Sequence, residues 1–255
     1  MNSLSILKPT ILHIGPFGAW FLGEFNENKA HSHYAIQIAI PFGKRFTVET
    51  EGEVFTESVL IPPATIHKLT SEGPQLTILL SPTTSHGHYW KAHLKDSPSP
   101  PPEGELKTLK AVIERYYHDE IDKKECISSI NRIIESWNCR CEGYIHGGDS
   151  RIEDALNYLE GQSYRSVPIG EVAQHVHLSV SRFQHLFTEQ TGQTYRRALL
   201  WMKIVAAAPL FGKLSLTEIA HEVGFSDSAH LSRTFTDTFG FSPRQIQSFN
   251  GGRGL

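Results

Sequence analysis

Three histidines carry the most reactive-looking arrangement in this chain. His31-Ser32-His33 places two imidazoles one residue apart, and His67 follows at the end of Pro62-Pro63-Ala64-Thr65-Ile66-His67. Along a strand, alternate side chains share a face, so His31 and His33 are expected on one face. Three neutral imidazoles suit Zn²⁺ or Ni²⁺ with one coordination position left open. The same groups equally suit the polar lining of a small-molecule pocket, or structural residues with satisfied hydrogen bonds. A second cluster, Ser85-His86-Gly87-His88-Tyr89-Trp90-Lys91-Ala92-His93, reads as solvated residues of a connecting segment. Cys139-Arg140-Cys141 with His146 lacks the C-x-x-C spacing of zinc or thiol-redox sites, and three cysteines are too few for a disulfide scaffold.

A different chemistry is written twice between Ile169 and Gly240. One copy reads IGEVAQHVHLSVSRFQHLFTEQTG and the other LTEIAHEVGFSDSAHLSRTFTDTFG. Ala173, Val176, Ser179 and Ser181 answer to Ala220, Val223, Ser226 and Ser228 at a constant offset. After a one-residue insertion, Phe187, Thr188 and Gly192 answer to Phe235, Thr236 and Gly240. Ile169, Val172, Ala173 and Val176 have the spacing of one buried helix face. Ser179 then caps a second helix, as Ser226 or Asp227 does in the other copy, and Gly224 suits a turn with positive φ. Each second helix buries Phe183, Leu186 and Phe187, or Leu231 and Phe235. Its outward face carries Ser181, Arg182, Gln184 and His185, or Ser228, Ala229, His230 and Arg233. Short polar side chains on such a face can enter a major groove and hydrogen-bond base edges.

From about Arg151 to Phe249 the chain resembles the DNA-binding domain of the AraC/XylS family of bacterial transcription regulators. The most specific stretch is SLTEIAHEVGFSDSAHLSRTFTDTFGFSP, where I-A-x-x-x-G-F-S-D, R-x-F and G-x-S-P fall in family order. The resemblance implies sequence-specific binding of double-stranded DNA, a small-molecule effector, and RNA polymerase as a partner if the protein is an activator. It implies no catalysis. Base-edge candidates are Ser181, Gln184, His185, Ser228, His230 and Arg233. Backbone candidates are Arg182, Arg196, Arg197 and Lys203, although Lys203 stands where the family often has Arg. The N-terminal histidine pair and His67 resemble the two cupin motifs, which such regulators often carry in a sensor domain. Gln37 replaces the cupin glutamate, and Ala64 and Thr65 stand around its glycine position. His31, His33, Gln37 and His67 are therefore effector-pocket candidates, and His31, His33 and His67 the candidate ligands of a divalent metal. A metal-sensing regulator, or a cupin-type metalloenzyme with a helical appendage, are the alternatives.

The elements that must position these groups divide the chain in three. The expected class is α+β: a cupin-like barrel or sandwich over 1–95, a linker and helical pair over 96–148, and an all-α domain over 149–255 with helix-turn-helix motifs at about 169–190 and 216–239. Six short strands are expected in the first part: ILHI, AWFL, YAIQIAI, RFTVET, SVLI and LTILL. Trp20, Phe21, Tyr34 and Phe55 are candidate pocket walls or core. DSPSPPPEG reads as an extended linker. Two amphipathic helices follow, Glu105 to His118 and Asp122 to Trp137, with Asp122 as N-cap. Their apolar stripes pack on the barrel or form a homodimer interface. A helix from Tyr195 to about Phe211 joins the two motifs, with Pro209 late in it as a shortening or kinking residue. The formal net charge is −3. From Arg151 onward ten Lys or Arg stand against nine Asp or Glu, so DNA affinity must rest on a local patch. No run of 18 apolar residues spans a membrane, and the N-terminus lacks a signal-peptide pattern, so a cytoplasmic protein is expected.

Overall fold

The computed structural model describes residues 8, 10–15, 17–24, 28–43, 45–82, 84–139, 149–162, 167–239 and 242–244. The chain forms two compact units, Met1–His31 with Ala35–Cys139, and Ser32–Tyr34 with Arg140–Leu255.

Among the described residues the first unit holds eight strands: β1 (Ile11–Gly15), β2 (Gly18–Glu24), β3 (Ile36–Pro41), β4 (Arg45–Thr50), β5 (Val54–Phe55), β6 (Val59–Ile61), β7 (His67–Glu72) and β8 (Pro74–Leu80). They make an antiparallel five-stranded sheet, β1-β2-β8-β3-β6, and a three-stranded sheet, β5-β4-β7. Three helices follow: α1 (Ser85–Lys91), α2 (Glu103–Tyr117) and α3 (Lys123–Ser136). Strand alternation sorts the larger sheet into two faces. Ile36, Ile38 and Ile40 of β3, with Leu76, Ile78 and Leu80 of β8, join one core with Trp20, Trp90, Leu109, Ile113, Ile130 and Trp137. That face is covered by the helices, and the Trp20 indole N–H donates to Asn131 Oδ1 at 2.8 Å. The opposite face meets the smaller sheet, because a ring nitrogen of His67 on β7 lies 3.2 Å from Gln37 Oε1 on β3. Burial on both sides explains why β3 and β8 read as nearly unbroken apolar runs rather than clean alternation.

Several expectations are corrected here. β5 and β7 were not among the expected strands. β7 reads HKLTSE, whose inward residues His67, Leu69 and Ser71 include only one strongly apolar side chain. His31 and His33 do not share a strand: His31 forms an isolated bridge with His67, each backbone N–H donating to the other's carbonyl at 3.0 and 2.9 Å. The segment around His86 and His88 is a helix, capped by Thr84, which accepts from Gly87 N–H. Only glycine fits at 87, since a Cβ there would lie 2.0 Å from the Ser81 carbonyl oxygen. Trp20 belongs to the face against the helices, so it does not wall a pocket between the sheets. The proline-rich segment is pinned, with Ser99 and Leu60 exchanging backbone hydrogen bonds of 2.8 and 3.1 Å beside edge strand β6. The stripes of α2 and α3 are spent on the sheet of their own chain. Asp122 caps α3 as expected, accepting from Glu125 N–H.

The second unit holds α4 (Ser150–Gly161), α5 (Ile169–His175), α6 (Val180–Thr191), α7 (Tyr195–Ala207), α8 (Leu216–Glu222) and α9 (Ser228–Phe239). Pro243 and Arg244 are helical, and the rest of the last helix expected from Pro243 lies outside the described residues. The helix after Tyr195 stops at Ala207, and Ala208–Leu210 forms a 3₁₀ turn. Pro209 lacks the N–H that an α-helix needs there. Thirteen residues at about 1.5 Å each make α7 about 20 Å long. The first half of α7 packs Tyr195 and Ala198 with Ile152, Leu159, Val172, Phe183 and Phe187. Further along, the ring of Trp201 lies 6.0 Å from that of Phe239 in α9. One helix thus serves both hairpins.

The two turns use the same backbone conformation with different residues. Gly224 has φ of 73° and its counterpart His177 has φ of 55°. A side chain in the left-handed region costs about 1–3 kcal/mol where nothing compensates, and glycine avoids this. Replacing His177 with Gly is expected to stabilise the second unit by about 0.5–1 kcal/mol, and Gly224→Ala to destabilise it by about 1–2 kcal/mol. Denaturant midpoints of the two variants test the pair; a loss of stability in His177→Gly would show that the imidazole itself holds the turn.

Candidate nucleic-acid interface and histidine cluster

The outward faces of α6 and α9 differ in how tightly they are held. In α6, Ser179 caps the helix by accepting from Arg182 N–H, and Gly192 closes it in the left-handed conformation. Phe183, Leu186 and Phe187 are 0–4% exposed. Ser181, Arg182, Gln184 and His185 are all exposed. Only His185 meets an acid on its own helix, with Nδ1 lying 3.7 Å from Glu189 Oε2. Arg196 and Arg197 are exposed at the start of α7, where Thr194 caps.

In α9 the cap is Asp227, whose Oδ1 accepts from His230 N–H at 2.7 Å, while Ser226 Oγ donates to Asp227 Oδ2 at 3.1 Å. The His230 backbone N–H and then the Ser226 hydroxyl hold the Asp227 carboxyl below its usual range. Ser226 Oγ also lies 3.0 Å from His230 Nδ1. With the hydroxyl proton on Asp227, Nδ1–H of His230 donates to Ser226, and Nε2 presents a lone pair. The ring stands edge-on to Phe225 at 5.1 Å. Arg233 is exposed, whereas Ser228 and His230 are half-buried.

Lys203 is a correction. It is 4% exposed, its ammonium donates to the Gly224 carbonyl, and it lies 5.6 Å from the Phe225 ring centroid. Burial pulls its pKa down. Lys203 therefore braces the turn between α8 and α9 from below and is not presented to a phosphate. A cationic residue in the middle of an apolar helix reads as surface, which is why the sequence pattern missed this. Arg244 was missed in the other direction. The offset that carries Gly192 to Gly240 also carries Arg196 to Arg244, and Arg244 is exposed.

In the N-terminal half, His31 and His67 are buried and their ring centroids lie 4.5 Å apart, while His33, also buried, belongs to the second unit. His31 Nδ1 lies 2.9 Å from the Lys29 carbonyl and His67 Nδ1 2.9 Å from the Thr65 carbonyl. Donation to those carbonyls puts the lone pair of each ring on Nε2. Burial pushes the His31 pKa down, partly opposed by the Lys29 carbonyl, so the ring is neutral near pH 7. Gln37 is 3% exposed. Its amide nitrogen, turned toward His67 Nε2, would satisfy both groups. His86 packs edge-on against Phe17. Cys141 and His146 lie outside the described residues. Cys126 is buried and its thiol is pushed up to about 12 by that burial.

These placements separate the cations by experiment. Arg196→Ala is expected to reduce the slope of log affinity for DNA against log salt by about one. Lys203→Ala is expected to leave that slope unchanged while lowering stability by about 2–3 kcal/mol, through lost packing and an unpaired Gly224 carbonyl. Salt titrations and urea melts of the two variants check this, and a reduced slope in Lys203→Ala would return the residue to the DNA surface.

Residues 172–248 match the family profile described as a helix-turn-helix domain. The HTH-type transcriptional activator RhaS of Escherichia coli is 34% identical over 105 residues, which is 40% of this chain and 38% of that protein. The arabinose operon regulatory protein of Salmonella typhimurium is 35% identical over 106 residues, 39% of this chain and 37% of the other. The chain therefore matches under two-fifths of the length of these relatives. Unsaturated fatty acid-bound ToxT from Vibrio cholerae superposes over 95% of this chain and 99% of its own, with a TM-score of 0.58 at 10% identity. Another ToxT structure from that organism covers 96% of this chain and 98% of its own, with a TM-score of 0.56 at 12% identity, so the likeness is one of fold. The doubled motif of this chain is thus an AraC-type helix-turn-helix domain, homologous to those of RhaS and the arabinose operon regulator, on a chain with the fold of ToxT.

Proposed function

We propose that the protein is a transcription regulator that reads a bipartite site on double-stranded DNA and answers to a small molecule bound in its N-terminal unit. The observation that carries this is the pair of capped helices, α6 and α9, on one shared beam, each with an apolar inner face and a polar outer one. Ser181, Gln184, His185, Ser228, His230 and Arg233 read base edges in this account. Arg182, Arg196, Arg197 and Arg244 hold phosphates, which fixes register without carrying sequence information. Gln184 pairs with adenine and Arg233 with guanine, while His230 Nε2 accepts from the amino group of adenine or cytosine. The even charge balance places affinity on these few cations, so binding is salt-sensitive.

The relatives named activators suggest activation, and with it contact with RNA polymerase. The N-terminal unit is the sensor, as the fatty acid bound to ToxT suggests for a chain of that fold. A homodimer fits the two-part site but must use surface other than the buried stripes of α2 and α3. The protein works in the cytoplasm and catalyses no reaction.

Sheared genomic DNA retained by the purified protein at moderate salt should show two short sequence blocks about one helical turn apart. Gln184→Ala should relax the preference at one position and cost about 1–3 kcal/mol there. Retention without sequence preference would overturn the base-reading role.

A second reading of the sensor has its own observation, the closeness of the His31 and His67 rings, whose centroids lie 4.5 Å apart. The orientation of His31 and His67 by carbonyls suits ligation by Nε2 of Zn²⁺ or Ni²⁺, with bonds of about 2.0–2.1 Å to zinc. On this reading Zn²⁺ raises the melting temperature of the wild type and not of His31→Ala. An equal response in both, or none in either, assigns the histidines to pocket lining.

A further inference from the structure

The face of the five-stranded sheet turned toward the smaller sheet carries a row of polar groups that the apolar core does not use. It has three levels. At the first, Gln37 stands opposite Leu79 and meets His67 across the gap between the sheets. At the second, Thr77 stands between Ala39 and Phe21. At the third, Gln75 stands between Pro41 and Gly23. Successive levels are two residues apart, or about 7 Å, so the row is about 13 Å long.

Two features mark this row as a binding surface. Gln75 is 1% exposed, yet its Oε1 accepts no hydrogen bond. Buried polar atoms in native proteins are nearly always paired, and exceptions ask for a partner. Thr77, in the middle of the central strand β8, is only half-buried, whereas its neighbours Leu76 and Ile78 on the other face are 0% exposed. Accessible space therefore reaches the inner face at Thr77. Ala19 and Ala39 on that face keep side-chain bulk out of it, while the Thr10 side chain fills the place beside Gly23. No inner-face position of β2, β3, β7 or β8 is Lys, Arg, Asp or Glu.

We propose that this space binds a small uncharged molecule bearing hydroxyl or amide N–H groups, which donates to Gln75 Oε1 and exchanges hydrogen bonds with Thr77 Oγ1. The proposal rests on the reading of this unit as the sensor and names the chemistry of what it senses. A carboxylate or an ammonium group would be stripped of water here with no opposite charge on these strands to meet it. A neutral donor is the group that completes Gln75, and Thr77, both donor and acceptor, tolerates either sense of hydrogen bond.

The test is thermal unfolding of the full chain without DNA, in the presence of neutral pentoses, hexitols, acetamide and benzamide at millimolar concentration. Hexanoate, benzoate and a monounsaturated fatty acid form the charged arm. A ligand that binds only the folded state raises the melting temperature. The expected result is a rise of several degrees with at least one neutral class, lost in Gln75→Met and in Thr77→Val. Both substitutions are near-isosteric and should leave the melting temperature without probe close to that of the wild type. A rise confined to the carboxylates, a neutral-probe rise that survives both substitutions, or no rise with any neutral probe would overturn the proposal. The same probes are then added to the DNA selection. Stabilisation without any change in DNA retention upholds the site and overturns its role as sensor. Failure to retain specific DNA while stabilisation persists overturns the DNA-reading account alone.

Discussion

A sheet covered on both faces can carry very few polar side chains, and that constraint governs the N-terminal unit. β3 and β8 lie inside the five-stranded sheet, with helices over one face and a second sheet facing the other. Every apolar residue on the helix side is spent on the core. A polar residue on the other side must find a partner or leave a buried atom unpaired. Gln37 finds His67, while Gln75 is left with an unpaired oxygen. The few interruptions in two apolar strands are therefore where chemistry concentrates, because nothing about packing asks for them.

The second unit solves a different problem, holding two exposed helix faces in a fixed relation. Its apolar residues are shared along α7, first with the hairpin of α5 and α6 and then with that of α8 and α9. Each hairpin turn passes through the left-handed region. The helices α6 and α9 are capped by different residues and are not equivalent in rigidity. Ser179 caps α6 alone, whereas Asp227, Ser226 and His230 form a connected group at the start of α9. The side chains of α6 are exposed and adjustable, and His230 is held in place before any ligand arrives.

The doubled motif was legible because its signals are local. Ser179, Gly224 and the spacing of Val172, Ala173 and Val176 each act on neighbours only a few residues away. So was the capped helix behind Asp122. The strands β5 and β7 and the helix Ser85–Lys91 were not, since β7 alternates histidine and serine with one leucine, and the helix is rich in histidine and aromatic residues. What decides β7 is distant, since it forms by pairing with β4, whereas α1 rests on a near contact, Gly87 lying against Ser81. The histidine cluster was found for a reason that proved wrong in detail. The rings converge through a bridge to β7 rather than by alternation along one strand. Lys203 was misplaced because a lone cation in a helical pattern gives no sign that a carbonyl from another turn awaits it.

The shared helix α7 also sets a rule of phase. An α-helix turns about 100° and advances about 1.5 Å with each residue. Because both hairpins are packed onto the same uninterrupted 13 residues, their relative orientation is a property of residue count and not of a tether's entropy. Lengthening α7 by one residue would swing one hairpin to a different side of the beam while barely changing the distance between them. The break at Pro209 lies beyond α7, so the beam ends abruptly and its length cannot creep. In that sense the unit behaves as a ruler with a fixed angular scale.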